Sequence, residues 1–237
     1  MSSLTWLDTA TSTNSVARDG NFHHGDAVAT LNQTAGRGRR GREWHDVQGR
    51  GLALSVRLDP LVVAEAGPLT LVPLVAGVAL VDVLASRSTT ASCWVKWPND
   101  VYLGEHKVAG ILTELVDPGH MIVGMGVNVS HSATELPLDS ATSLALRGIN
   151  IDPVTLAQEW LSGFMELVDV LGTPSTLDHL RSRMGLMGDE VVVDIPDSTT
   201  VEGTVTALAP TGELIVSNGS GNHTILAGEI QRLRRRS

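Results

Sequence analysis

Ten residues, AGRGRRGREW at 35–44, gather charge on glycine, with four arginines and three glycines filling positions 36–42. Glycine lets a backbone approach a ligand closely and offers its N–H groups to an anion. Arginine adds a planar fork that grips a carboxylate or phosphate at two points. Together they describe an anion clamp, set in a chain whose formal net charge is −9. An RGG-like segment for single-stranded RNA and a plain solvated loop are the alternatives. RGG tracts, however, repeat in disordered polar surroundings, and this one occurs once, between two strand-like runs.

A second concentration of chemistry lies at 96–110. Only two of the seventeen basic residues are lysines, Lys96 and Lys107. Arginine-favouring codon usage explains the general scarcity. A lysine kept in such a chain suits a place where a compact ammonium must meet one oxygen or a crowded phosphate. Between the two lysines, Pro98 halts a strand and displays Asn99 and Asp100 at its exit. Asn99 is placed to bond a ligand oxygen and Asp100 to help hold Mg²⁺. A proline-initiated turn, with Asn and Asp chosen for turn chemistry, explains the same tripeptide taken alone.

These residues need a frame. AVATL (27–31) reads as a strand entering the Arg/Gly segment, and GLALSVRL (51–58), with apolar residues at every second position, as a strand leaving it. Residues 69–86 read as a buried helix. WVKW (94–97), VAGILTELV and MIVGMGVNV read as strands, the last two joined through DPGH (117–120). A helix starts at Asp152-Pro153, an N-cap followed by proline at the first turn. Its apolar residues Ala157, Trp160, Leu161, Phe164, Val168 and Leu171 recur at three- and four-residue steps. Five short β-like pieces follow in 189–233, a pattern for a small barrel. The order predicts an α+β fold with a mixed or antiparallel sheet, divided into domains at 1–187 and 188–237.

Composition narrows the class. No apolar run approaches the ~20 residues of a membrane span, and MSSLTWLDTATSTN lacks the pattern of a secretory signal. The single cysteine, Cys93, rules out an internal disulfide and CxxC metal sites, and is expected to be a buried strand residue. The eight histidines fall into no metal-binding spacing. A cytoplasmic protein with no tightly bound metal and no membrane association is the expectation.

Considered jointly and in order, QTAGRGRRGREW, KWPNDVYL, KVAGILTE and GMGVNV resemble the successive signature motifs of the biotin–protein ligases. STN at 12–14 matches that family's first biotin-contacting motif, so the resemblance covers residues 5–150 and extends more loosely beyond. It implies a class II aminoacyl-tRNA-synthetase-like catalytic domain of mixed sheet and flanking helices, with a small C-terminal SH3-like β-barrel. It also implies an activity in two steps: ATP and biotin give biotinyl-5'-AMP, and the biotinyl group then passes to a lysine of a carboxylase's biotin carboxyl-carrier domain.

Carried over motif by motif, Ser12, Thr13, Asn14 and Gln33 would meet biotin's ring and ureido group. Arg37, Gly38 and Arg39 would hold its carboxylate and the phosphate. Lys107 would contact both, as a catalytic residue with Arg39, and Gly110 would line the biotin slot. Arg42, Trp44, Asn99, Asp100 and Asn128 would serve ATP, with Asp100 toward magnesium. Lys96 belongs to the motif but sits in a strand and is not assigned a ligand contact.

The STN motif starts at residue 12, which leaves no room ahead of it for a DNA-binding helix-turn-helix, so no repressor role and no DNA binding are carried over. Ala209-Pro210-Thr211 departs from the acidic turn more usual in the small barrel. The basic run RLRRR (232–236) reads as a solvated end. The chain is expected to be a monomer or a homodimer. Two rivals remain: a lipoate or octanoyl ligase, whose Arg-Arg…Gly-Gly-Gly pattern is missing here, and a non-enzymatic nucleic-acid module. Against the latter stand a pI near 5.3 and 3% aromatic residues, too few for a base-stacking platform.

Overall fold

The computed structural model describes residues 2–87, 92–116, 119–196 and 199–234. The turns predicted at 117–120 and 196–197 and the basic run at 232–236 fall partly outside them. Seven strands form the main sheet: β1 (Leu4–Leu7), β2 (Ala27–Thr30), β5 (Gly51–Leu58), β6 (Cys93–Lys96), β7 (Asp100–Leu103), β8 (His106–Val116) and β9 (His120–Asn128). Their order is β1-β2-β5-β9-β8-β7-β6, with β1–β2 parallel and every other pair antiparallel, so the sheet is mixed.

Alternation along the central strands gives the sheet two unlike faces. On β5, Leu52, Leu54, Val56 and Leu58 join the main core. That face receives α3 (Val72–Ala85), which is buried nearly all round. Such a helix needs apolar neighbours on both sides, and α4 (Pro153–Asp169) supplies the outer one. Trp160 of α4 donates its indole N–H to the Ala76 carbonyl at 2.9 Å and stacks on Phe164 with centroids 5.0 Å apart. Asp152 caps α4 as predicted, accepting the Thr155 N–H at 3.0 Å.

The opposite face presents small and polar groups. Cross-strand register lines up Ser55–Gly124–Leu112 in one row and Ala53–Gly126–Gly110 in the next. Helix α1 (Thr13–Asp19) covers one end of this face, packing Ala17 with Val28 and Ile122. The Arg/Gly segment differs from the plain loop that sequence suggests. Gly36–Arg37 (β3) and Glu43–Trp44 (β4) pair as a short hairpin. Its tip turns at Arg40 and Gly41, with φ of 58° and 72°. A side-chain-bearing residue in that left-handed region costs of order 1 kcal/mol, which the Arg40 contacts described below must offset.

Two further helices, α2 (Pro60–Ala66) and α5 (Pro174–Arg183), escape the sequence reading: α2 is too short to show a period, and α5 is polar on much of its surface. The C-terminal strands β10 (Glu190–Asp194), β11 (Thr200–Leu208), β12 (Leu214–Asn218), β13 (Gly221–Ile225) and β14 (Glu229–Arg234) form one antiparallel sheet in the order β13-β12-β11-β10-β14. Its β11–β12 turn docks beside the end of β6: Trp97 donates its indole N–H to the Gly212 carbonyl at 2.9 Å. No single helix among the described residues is long and apolar enough to cross a membrane.

Candidate active site

The polar face of the sheet, the β3–β4 hairpin and the strand β14 enclose a cleft of about 400 Å³. Ser12, Thr13, Asn14, Gln33, Arg37, Gly38, Arg39, Arg42, Trp44, Asn99, Asp100, Lys107, Gly110 and Asn128 all line it. Every residue singled out from the sequence is therefore in one place, although they span more than a hundred positions. Lys96 lines it as well, its ammonium 5.3 Å from the Tyr102 ring centroid.

Glycine makes the floor. A Cβ on Gly126 would sit 2.6 Å from the Trp44 indole, and one on Gly110 would sit 3.2 Å from Trp44 and from the Lys107 ammonium. The indole thus lies flat along a strip that only bare backbone could provide. One row further, a Cβ on Gly124 would fall far inside van der Waals contact distance of Asn14 Oδ1. Gly124→Ala must push Asn14 aside, an overpacking cost of ~1–3 kcal/mol. That cost should appear as a matching loss of stability in the variant, which a denaturant melt would measure.

The polar end is built by α1 and its neighbours. Gln33 Oε1 accepts the Thr13 backbone N–H at 2.9 Å. Ser55, fully buried on β5, has its hydroxyl 2.7 Å from Thr13 Oγ1 and 2.6 Å from Asn14 Oδ1. Asn14 Nδ2 donates to Glu114 Oε2 at 2.6 Å, and the same oxygen takes Arg37 at 3.2 Å. Neither Ser55 nor Glu114 was picked out in the sequence. Ser55 is the fully buried polar residue of β5, and Glu114 closes the KVAGILTE motif. Each of those features was visible and passed over.

The cationic end lies across the cleft. Lys107 pairs with Asp100 at 2.7 Å, and Arg39 donates to Asn99 Oδ1 at 2.8 Å, tying the hairpin to the PND turn. Asn99 is itself fixed, since its Nδ2 donates to the Ile111 carbonyl at 2.7 Å. Arg40 and Arg42 both reach Glu229 on β14. Of the four arginines, only Arg39 meets no carboxylate within ion-pair distance among the described residues. Burial lowers its pKa, with Asp100 opposing that shift and the like charges of Arg40 and Arg42 adding to it. Asn128 spends its Nδ2 on the Thr142 carbonyl at 3.0 Å, leaving its Oδ1 for any ligand.

A buried pair supports the hairpin from behind. Asp46 and His131 are 3% and 2% exposed, with Nε2 3.9 Å from Oδ1. Burial pushes the Asp46 carboxyl up and the His131 imidazole down, so each is driven toward its neutral form. Asp46 Oδ2 accepts the Gln33 backbone N–H at 3.3 Å, which steadies the polar end. Cys93 lies in β6 as expected, half-buried, its thiol pushed up to about 12 by burial. That keeps it a protonated thiol rather than a nucleophile.

The family model described as "Biotin/lipoate A/B protein ligase family" matches residues 6–128, which hold the sheet face and the hairpin of this cleft. The chain belongs to that family. It is 30% identical to the biotin–[acetyl-CoA-carboxylase] ligase of Mycobacterium tuberculosis over 216 residues, 89% of this chain and 80% of the relative. It is 38% identical to the bifunctional ligase/repressor BirA of Escherichia coli over 148 residues. That match takes in 59% of this chain and only 44% of the relative. The structure of a biotin protein ligase from Aquifex aeolicus, solved with biotin and ATP, superposes with a TM-score of 0.82 at 31% identity, covering 99% of both chains. The family shares its fold between biotin and lipoate chemistry, so the fold alone does not choose the substrate.

Proposed function

We propose that this protein is a biotin–protein ligase. In the first step a carboxylate oxygen of biotin attacks the α-phosphorus of ATP. The bond from that phosphorus to the bridging oxygen breaks, releasing pyrophosphate and leaving biotinyl-5'-AMP. In the second step the amine of a lysine on a carboxylase's biotin carboxyl-carrier domain attacks the acyl carbon, and AMP departs.

The observation that carries this reading is a slot with one end of hydroxyl and amide groups and one cationic end. Thr13, Asn14 and Gln33 offer hydrogen bonds suited to a ureido ring, while Arg37, Arg39 and Lys107 gather positive charge where two anions must meet. Bringing a carboxylate against a triphosphate is repulsive unless such charge is fixed in advance. Lys107 has the compact head to follow charge onto a single phosphate oxygen, and Arg39 the fork to hold the anhydride. The hairpin shields a hydrolysable intermediate from water.

Magnesium enters on this reading with the nucleotide. Among the described residues no group of three or more His, Cys, Asp or Glu side chains forms a metal cage. Asp100 is a single carboxylate beside Lys107. That suits an ion held chiefly by phosphate oxygens and water.

Purified protein given ATP and either biotin or lipoate provides the test. Pyrophosphate should appear with biotin and not with lipoate. Turnover confined to lipoate would replace this reading with lipoate ligation, and turnover with neither would end it.

A further inference from the structure

We propose that Glu114 is a positioning residue for biotin, fixing the direction of a hydrogen-bond chain so that Thr13 Oγ1 offers the cleft a lone pair. The inference rests on the biotin reading above and goes past it, to how the polar end tells donor from acceptor.

The argument is a count of protons. Three oxygen–oxygen contacts run in sequence: Asn14 Oδ1–Ser55 Oγ at 2.6 Å, Ser55 Oγ–Thr13 Oγ1 at 2.7 Å and Thr13 Oγ1–Gln33 Oε1 at 3.2 Å. Two hydroxyl protons must serve all three. Turning the Asn14 carboxamide over would supply a third, because its N–H would then point at Ser55. Glu114 forbids that, seconded only weakly by the Leu112 carbonyl, 3.5 Å from the same amide. Its carboxylate, 2.6 Å from the amide, only accepts, so Asn14 must keep its N–H there and its oxygen toward Ser55. Ser55 therefore donates to Asn14, and Thr13 donates to Ser55. The contact left without a proton is the one to Gln33, which is also the longest of the three. Gln33 Oε1 is still satisfied by the Thr13 backbone N–H at 2.9 Å.

The consequence is specific. A hydroxyl that has spent its proton on Ser55 is an acceptor toward anything in the cleft, and a cyclic urea carries ring N–H donors. Without the charge at Glu114 the chain can reverse. Thr13 would then donate to Gln33, and the acceptor would be lost part of the time. Glu114 and Thr13 share no direct bond, so whatever couples them passes through Asn14 and Ser55. The Arg37 contact with Glu114 is a separate branch that does not reach Thr13.

A double-mutant cycle on the full chain tests this, using biotin affinity by calorimetry and the biotin KM by pyrophosphate release. Glu114→Gln keeps the shape and removes the charge. It should weaken biotin about tenfold, the scale of one charge-assisted hydrogen bond, with the ATP KM unchanged. Thr13→Val should weaken biotin in the native background, and its effect should shrink at least threefold when Glu114→Gln is present. Ser55→Ala, which cuts the chain midway and leaves Glu114 and Arg37 in place, should shrink it likewise, and serves alone if Glu114→Gln does not fold. Unchanged biotin affinity in Glu114→Gln, or full multiplicativity of the Thr13 effect in both backgrounds, would overturn the proposal. A native protein that uses lipoate instead of biotin would show that the parent reading failed, which is a different result.

Discussion

On the proposed ligase reading, replacing Lys107 by alanine should lower the rate of biotinyl-adenylate formation by about 10²–10³, the usual cost of one pre-aligned electrostatic donor. The loss has two parts. The ammonium no longer meets the charge that grows on the phosphate in transit. Asp100, 2.7 Å away, also loses its counter-charge and becomes a fixed negative group beside the incoming triphosphate. Stability barely enters. Lys107 and Asp100 are 32% and 23% exposed, and so accessible a pair contributes ~0.2–1 kcal/mol to folding. Single-turnover synthesis of the adenylate, read beside a thermal melt, separates the two quantities. Native-like synthesis by the alanine variant would remove Lys107 from the chemistry.

Arg39→Gly should let the intermediate escape. Arg39 joins the hairpin to the PND turn through Asn99, and among the described residues it is the one of the hairpin's four arginines with no carboxylate within ion-pair distance. It can exchange an amide oxygen for a phosphate without breaking an ion pair. Arg40 and Arg42 are engaged by Glu229, and Arg37 by Glu114. Removing one charge-assisted bond to an anion costs ~1.5–3 kcal/mol, or about 10–100-fold in dissociation. Free adenylate then acylates any exposed lysine. The readout is biotin label on bystander proteins mixed with carrier, ATP and the variant. Label confined to the carrier would mean that Arg39 does not hold the intermediate.

Secondary structure was largely legible in advance. The alternation of GLALSVRL became β5, and Asp152-Pro153 became a capped helix start. The predicted mixed sheet with flanking helices is what the chain forms. The hairpin inside the Arg/Gly segment was not legible, because two-residue strands leave no period to read. Helix α1 was missed for a related reason. Its seven residues bury Thr13, Asn14 and Ala17, so polar groups point inward and the pattern inverts.

Composition and motif order were enough to gather residues that line one cleft. Arg/Gly, PND, KVAG and GMGVN each carry residue types whose chemistry is written in the side chain, and that chemistry survives without coordinates. Partnership is not written there. Glu114 meets Asn14 a hundred positions away, and Glu229 meets the hairpin from a different sheet. Ser55 becomes a link only because β5, β9 and α1 bring it under Asn14. Hydrogen bonds and ion pairs depend on distances of a few ångströms. Those distances were decided by sheet register and helix packing, which only the folded chain fixes.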